Sequence, residues 1–384
     1  MEECRKKKIA FVLEGATVGG IETVLTQMLR KIDTNKYEIS LFTNVKGNPC
    51  IGQIPACIEV IDLDNFDLRT NFYCALHERK LCWAIKLLHS YVKLRLTKDE
   101  LQRVKYSQEQ FTLSEETFDC AVAYRPSWAC VLWVLDHIKA HKKVAWVHGP
   151  IWGSVDKNWI DRVDKLFCVS EDAKKNLERV CPSVIGRAEV FYNLLDSKEI
   201  VSKAGDGMNL GEKISLVTVA RLAIEKGQDM IPQTVRYLLD AGYRVKWYLV
   251  GDGPLRDTIE EKCMEYGVVD DVILVGTQKN PYPYIKSCDI YVQTSSSEGY
   301  CTTTMEAKIL NKPIVTTDAP GMREQFNNGE NGLIVDNMTP ESLFEGIKTL
   351  IDNPVLCRKF VENLRKETHD NSRELEKLYT FIEA

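Results

Sequence analysis

The sequence predicts an α/β protein built on parallel sheets, and three observations predict it. Short apolar runs rich in β-branched and aromatic residues recur along the 384 residues. Most of these runs are separated by stretches of helical periodicity, the alternation expected of parallel strands covered on both faces by helices. The length suffices for two or three domains with full cores, and the strand pattern restarts after a polar, glycine-containing stretch, Ser197 to Glu212. That restart divides the chain at 195/196.

Composition narrows the class. Hydrophobic content of 44% and charged content of 27% are those of an ordinary globular protein. A net charge of −5 gives no support to nucleic-acid binding. The charge is uneven: residues 1–195 hold 28 Lys and Arg against 25 Asp and Glu, and the remainder 22 against 30, so the two halves are expected to meet different partners. Thirteen cysteines, none in C-x2-C spacing, read as reduced thiols of a cytoplasmic protein. The apolar run behind Lys6, Lys7 and Lys8 is too short for a signal sequence, and no run approaches a membrane span.

In chain order, Lys8 to Leu13 reads as a strand, Glu14 to Gly20 as a glycine loop, and Ile21, Val24, Leu25, Met28 and Leu29 as a helix. The loop fits neither G-x-G-x-x-G nor a P-loop, and a plain turn serving only to join strand to helix is its alternative reading. Further strands are predicted at Tyr37–Phe42, Cys57–Ile61, Phe118–Ala123, Lys143–Val147, Leu166–Val169 and Ala188–Phe191. Asp62-Leu63-Asp64 has the form of a D-x-D metal site, but a lone acidic tripeptide at a strand end reads better as solvated charge, and no metal is assigned. Residues 78–105 hold eight basic and three acidic residues, with Leu81, Ile85, Leu88 and Val92 at helical spacing and Trp83, Leu87, Tyr91 and Leu94 extending the apolar surface. Two readings stand side by side: a basic amphipathic helix on an anionic membrane, or a helix packed on the first sheet with a solvated basic face. His148 follows the strand ending at Val147, where ligands of doubly wound sheets sit.

The second half opens with the strand Ile214 to Ala220 and then Arg221 and Lys226, five residues apart, a pair able to neutralise a pyrophosphate. Strands follow at Val245–Val250 and Val272–Gly276; Gly253, in the turn after the first, reads as structural. Cys288 to Val292 is the next strand, then the polar loop Ser295 to Thr302, then a helix from Thr303 to Leu310. Gly299 lets the backbone approach a ligand, and the N–H groups of Tyr300, Cys301 and Thr302 would form the first turn of the helix, where anions are favoured, so a site for a phosphate-bearing ligand is expected here. Glu298 and Glu306 suit hydroxyl groups, one of a sugar and one of a ribose.

The Glu298-x7-Glu306 pattern, Lys312-Pro313-Ile314-Val315, Glu330-Asn331-Gly332-Leu333 and Arg221-Leu222-x3-Lys226-Gly227 together resemble the retaining nucleotide-sugar glycosyltransferases of family 4. The resemblance is dense over the second half and limited in the first to Gly19-Gly20-Ile21-Glu22 and His148-Gly149-Pro150. It implies the GT-B fold, α/β with two doubly wound Rossmann-like domains facing across a cleft. Residues 1–195 would be the acceptor-side domain, 196–368 the nucleotide-sugar domain, and 369–384 a helix crossing back to the first. It implies catalytic roles for His148, Glu298, Arg221 and Lys226. Donor binding would fall to Gly19, Gly20, Arg221, Lys226, Gln278, Glu298, Gly299, Tyr300, Cys301, Thr302 and Glu306. It implies neither metal nor other cofactor, a nucleoside diphosphate sugar, on family frequency a UDP-sugar, as donor, and a cell-surface glycan or lipid-linked acceptor, handled in the cytoplasm or at the inner face of the membrane. A sugar-nucleotide epimerase and a non-catalytic sugar-nucleotide binder are the alternative readings.

Overall fold

The structure is a computed structural model that describes residues 5–15, 19–46, 48, 50–125, 127–149 and 157–384. The chain divides into two compact units, the first made of Met1–Val169, Ala173–Leu194 and Ser372–Ala384, the second of Ser170–Asp172 and Leu195–Asn371. The break thus falls one residue before the expected 195/196, and the closing segment begins at Ser372 rather than 369.

The first unit carries seven strands: β1 (Lys7–Leu13), β2 (Tyr37–Thr43), β3 (Glu59–Asp62), β4 (Thr117–Ala123), β5 (Lys139–Val147), β6 (Lys165–Cys168) and β7 (Ala188–Val190). They run parallel in the order β3-β2-β1-β4-β5-β6-β7. Ile9 to Leu13 are all buried, which a strand covered on both faces requires. Two strands start more than one residue from expectation. β5 begins four residues early because Lys139 already pairs with Thr117, and β3 begins late because the Ile58 N–H closes a turn on the Pro55 carbonyl.

The second unit carries β8 (Ile214–Val219), β9 (Val245–Val250), β10 (Val272–Gly276), β11 (Ile290–Gln293), β12 (Ile314–Thr317) and β13 (Leu333–Val335), parallel in the order β10-β9-β8-β11-β12-β13. β11 starts two residues later than the run that predicts it, because Cys288 ends the preceding helix, its N–H bonded to the Tyr284 carbonyl. Each sheet reverses strand order once, between β1 and β4 and between β8 and β11. At such a switch point the loops leaving the two carboxyl ends turn to opposite faces and leave a crevice.

The basic region folds into three helices, α2 (Leu68–His77), α3 (Leu81–Leu96) and α4 (Glu100–Gln108), numbered after α1 (Gly20–Lys31). In α3 the two apolar sets point opposite ways. Ala84 and Leu87 are buried in the first unit's core, with Trp83, Tyr91 and Leu94 packed against it. Leu81, Ile85, Leu88 and Val92 are exposed. The packed-helix expectation therefore holds for one face only, since the opposite face is apolar as well as basic.

The final helix, Leu375–Glu383, belongs to the first unit and buries Leu375, Leu378 and Ile382. Tyr379 stacks on Tyr37 with ring centroids 4.7 Å apart, and its hydroxyl accepts from the Asp33 N–H at 3.0 Å. Lys7 and Lys142 donate to the carbonyls of Ile382 and Phe381, so lysines cap the helix's unpaired C-terminal oxygens. Leu378 is fully buried, and Leu378→Ala is expected to cost the first unit about 2–5 kcal/mol, read as a lower urea midpoint with earlier proteolysis of residues 372–384.

Candidate active site

In the second unit, the loops following β8 and β11 are adjacent because the strands are. They are stitched together. The Ser296 N–H donates to the Glu225 carbonyl at 2.9 Å, and the Thr294 hydroxyl donates to the Lys226 carbonyl at 2.6 Å. Gly227 is left-handed at φ +62°, and a Cβ there would lie 2.3 Å from the Thr294 carbonyl oxygen, so only glycine lets the two loops close.

The side chains complete the joint. The Lys226 ammonium lies 2.7 Å from Glu298 Oε1, with the Glu298 side chain only 9% exposed. Ser295 donates its hydroxyl to the same Oε1 at 2.6 Å and takes a hydrogen bond from the Gln293 amide at 2.8 Å. Both contacts fall on Oε1 and neither on Oε2. Burial would lower the Lys226 pKa, but the adjacent Glu298 carboxylate outweighs it and holds the ammonium above its usual range. The lysine is therefore charged throughout the neutral range.

Arg221 is placed differently. It lies on the same loop, exposed, and its guanidinium pairs with Glu225 at 2.6 Å rather than with Glu298 or Glu306. An exposed pair of this kind holds the side chain weakly, so the guanidinium can be drawn to a stronger anion.

The helix expected from Thr303 spans Thr302–Ile309, with Cys301 as its N-cap residue and no side-chain cap. Cys301 is buried, and burial pushes its thiol up to about 11, so it is neutral. Its carbonyl accepts from Thr304 at 2.8 Å and Gln325 at 3.2 Å, which anchors the start of the helix. Gly299 packs under Gly321, where a Cβ would lie 2.7 Å from the Gly299 oxygen. Glu306 is buried, with the Tyr282 hydroxyl 3.4 Å from its Oε1. Burial pushes its carboxyl from 4.5 to about 8, so at neutral pH it carries a proton and can both donate and accept. Gln278 is exposed beyond β10, its amide reaching the Val275 carbonyl at 3.4 Å. Gly253 approaches the Leu222 carbonyl so closely that a Cβ would lie 2.4 Å away.

In the first unit, Gly19 caps α1 and Gly20 begins it. Ala16, Thr17 and Val18 of that loop, and Pro150 after His148-Gly149, lie outside the described residues. His148 Nε2 is 2.6 Å from the Tyr124 carbonyl, which can only accept, so Nε2 holds the hydrogen and Nδ1 the lone pair. Burial lowers its pKa to about 4, so the ring is neutral. Asp62 and Asp64 are engaged instead by the backbone N–H of Val45 and the Asn44 amide. Among the described residues no cluster of three His, Cys, Asp or Glu has the arrangement of a metal site.

The sequence reasoning missed four groups. Ser295 and Gln293 behind Glu298 were signalled only by polar residues closing an apolar strand, and Tyr282 beside Glu306 by nothing local. Arg125 is the fourth. It follows β4, donates to the Glu14 carbonyl at 3.0 Å and pairs at 2.5 Å with Glu22, which is only 2% exposed.

Residues 206–367 match the family model Glycosyl transferases group 1. One relative is the N-acetylgalactosamine-N,N'-diacetylbacillosaminyl-diphospho-undecaprenol 4-alpha-N-acetylgalactosaminyltransferase of Campylobacter jejuni, 30% identical over 53% of this chain and 55% of that protein. The chain thus spans about half the length of that relative. Among solved structures, Anabaena HepE in complex with UDP and glucose aligns with a TM-score of 0.71 at 16% identity, over 98% of this chain and 99% of that one. A mutant of S. aureus TarM in complex with Fondaparinux, alpha-GlcNAc-glycerol and UDP aligns with a TM-score of 0.72 at 13% identity, over 98% and 100%. The fold is GT-B: two Rossmann-like parallel sheets with helices.

Two outcomes follow from the site. Gly227→Ala is expected to lower the second unit's stability by about 1–3 kcal/mol, measured by denaturant unfolding, because both the left-handed backbone and the Thr294 contact oppose a methyl group. Glu306 is protonated in the folded state between about pH 4.5 and 8, where the unfolded chain has lost that proton. Its contribution is therefore full below 4.5 and declines as pH rises toward 8. Glu306→Gln, which cannot ionise, is expected to flatten thermal stability against pH across that window.

Proposed function

We propose that the chain is a retaining, family 4 glycosyltransferase that moves a sugar from a nucleoside diphosphate sugar, a UDP-sugar, to a hydroxyl of a cell-surface glycan or lipid-linked acceptor. The Lys226–Glu298 ion pair carries the reading, because it puts a permanently charged ammonium and a sugar-orienting carboxylate side by side. The family-model match, the lipid-linked substrate in the name of the Campylobacter relative and the UDP in the HepE and TarM complexes support it.

Breaking the bond between sugar and diphosphate leaves negative charge on the departing phosphates and an oxocarbenium-like sugar. Fixed positive groups at the phosphates are then the largest expected term. Lys226 would supply a point charge and Arg221, released from Glu225, a two-pronged grip. The amides of Gly299, Tyr300, Cys301 and Thr302 at the helix start would complete the anion site. These groups would serve the diphosphate in place of a metal, and no metal or other cofactor is proposed. Glu298 would hold sugar hydroxyls through Oε2, Glu306 the ribose hydroxyls, and the segment at Gln278 the base. Gly19 and Gly20 would let the first loop approach the phosphates. His148, neutral with Nδ1 as acceptor, would take a hydrogen bond from a hydroxyl of the sugar or acceptor.

A nucleotide-sugar donor together with a lipid-linked acceptor would put the reaction in the cytoplasm, at the inner face of the membrane. The free thiols of Cys57, Cys74 and Cys82, all exposed, fit a reducing compartment. No helix among the described residues is long and apolar enough to cross a membrane.

Purified protein is expected to gain thermal stability with one member of a panel of UDP-sugars and to transfer its sugar with the anomeric configuration kept, as read by NMR, in the presence of a chelator. Lys226→Ala and Glu298→Ala are each expected to lower kcat/KM about 10²–10³-fold. Stabilisation by no nucleotide sugar, or full transfer by both variants, would overturn the reading.

A further inference from the structure

Seven of the fifteen large hydrophobic side chains exposed among the described residues fall within a single stretch of 24 residues: Tyr73 and Leu76 on α2, and Leu81, Ile85, Leu88, Val92 and Leu96 on α3. The five on α3 are spaced 4, 3, 4 and 4 apart and so form one stripe, in an arc of about 80° at 3.6 residues per turn. They are 62%, 67%, 46%, 45% and 79% exposed. Nothing about packing explains them, because α3 already buries its other face through Ala84 and Leu87. A contiguous apolar surface of this kind is a docking surface.

The charges select the occupant. From Arg79 to Lys98 there is no acidic residue, while Arg79, Lys80, Lys86, Lys93, Arg95 and Lys98 are basic. Lys86 and Arg95 are exposed on α3 itself, flanking the stripe, and Arg79, Lys80 and Lys98 lie at its two ends. A second copy of this chain meeting the first through the same stripe would bring these cations against their own equivalents. A protein partner is disfavoured too, since interfaces between proteins are poor in lysine. Lysine and arginine around an apolar helix face are what the boundary of a bilayer accepts: the apolar side chains enter the acyl region and the long basic stems reach back to anionic headgroups.

We propose that the outward face of α3, extended by Tyr73 and Leu76, seats the first unit on an anionic phospholipid surface with α3 lying in the plane of the headgroups. The proposal deepens the reading of a lipid-linked acceptor, giving that acceptor's membrane a definite contact on the protein, and it is tested apart from the chemistry.

The full chain is mixed with vesicles of phosphatidylcholine alone and of equal parts phosphatidylcholine and phosphatidylglycerol, and the bound fraction is read by flotation. Wild type is expected to float with the anionic vesicles, to float far less with the neutral ones, and to be released by added salt. The triple substitution Ile85→Ser, Leu88→Ser, Val92→Ser is expected to weaken partitioning about tenfold or more. Ile185→Ser with Val355→Ser, exposed apolar residues elsewhere, is expected to leave it unchanged. Because all these side chains are exposed, thermal unfolding and stabilisation by UDP-sugar are expected to match wild type, which separates loss of docking from loss of fold. Wild type that stays with neither vesicle, or a triple variant that floats as wild type does, would overturn the proposal. So would self-association in sedimentation velocity that the triple variant abolishes, which would give the stripe to a second copy. Docking without any nucleotide-sugar binding would instead leave this proposal standing and remove the transferase reading.

Discussion

Two adjacent parallel strands whose connections leave to opposite sides deliver their carboxyl-end loops to one place, and the second unit depends on what happens there. Its β8 loop carries the cations and its β11 loop the carboxylate, and the Lys226–Glu298 pair closes them upon each other. A buried ion pair earns little net stability by itself, because desolvation offsets most of the attraction. Its value lies in fixing geometry. With Ser295 and Gln293 behind it and Gly227 allowing backbone contact, the carboxylate has few other positions to adopt.

The ionisable groups around that joint fall into two classes. Lys226 is kept charged by its neighbour, whereas Glu306 and Cys301 are kept neutral by burial. Each cation there already has a partner: Lys226 shares its charge with Glu298, and exposed Arg221 pairs with half-buried Glu225. A protonated Glu306 adds no negative charge to its helix at neutral pH.

Much of this architecture is legible in the residues. Strands buried on both faces announce themselves as short apolar runs: ten of the eleven expected strands begin within two residues of the run, and no expected strand covers β12 or β13. Arg221, Lys226 and Glu298 are visible as polar residues directly after such runs. What a linear reading lacks is adjacency. Lys226 and Glu298 are 72 residues apart, and only the strand order brings them to 2.7 Å. Arg125 and Glu22, 103 residues apart, meet for the same reason, across the switch point of the first sheet. Helix α3 poses a different difficulty. Both of its faces are apolar, so periodicity identifies the helix without saying which side the core takes; packing against the rest of the first unit decides that.

The first unit is discontinuous. Lys7 on its opening strand bonds to Ile382, 375 residues later, and the whole of Leu195–Asn371 is interposed. Synthesis proceeds from the amino end, and domains ordinarily fold in that order. Here the order is inverted: the second unit has its entire sequence while the first still lacks the helix that covers Tyr37 and Lys142. A ribosome would thus hold an uncapped seven-stranded sheet through the making of a complete six-stranded one, and the earlier half of the molecule is the later to finish.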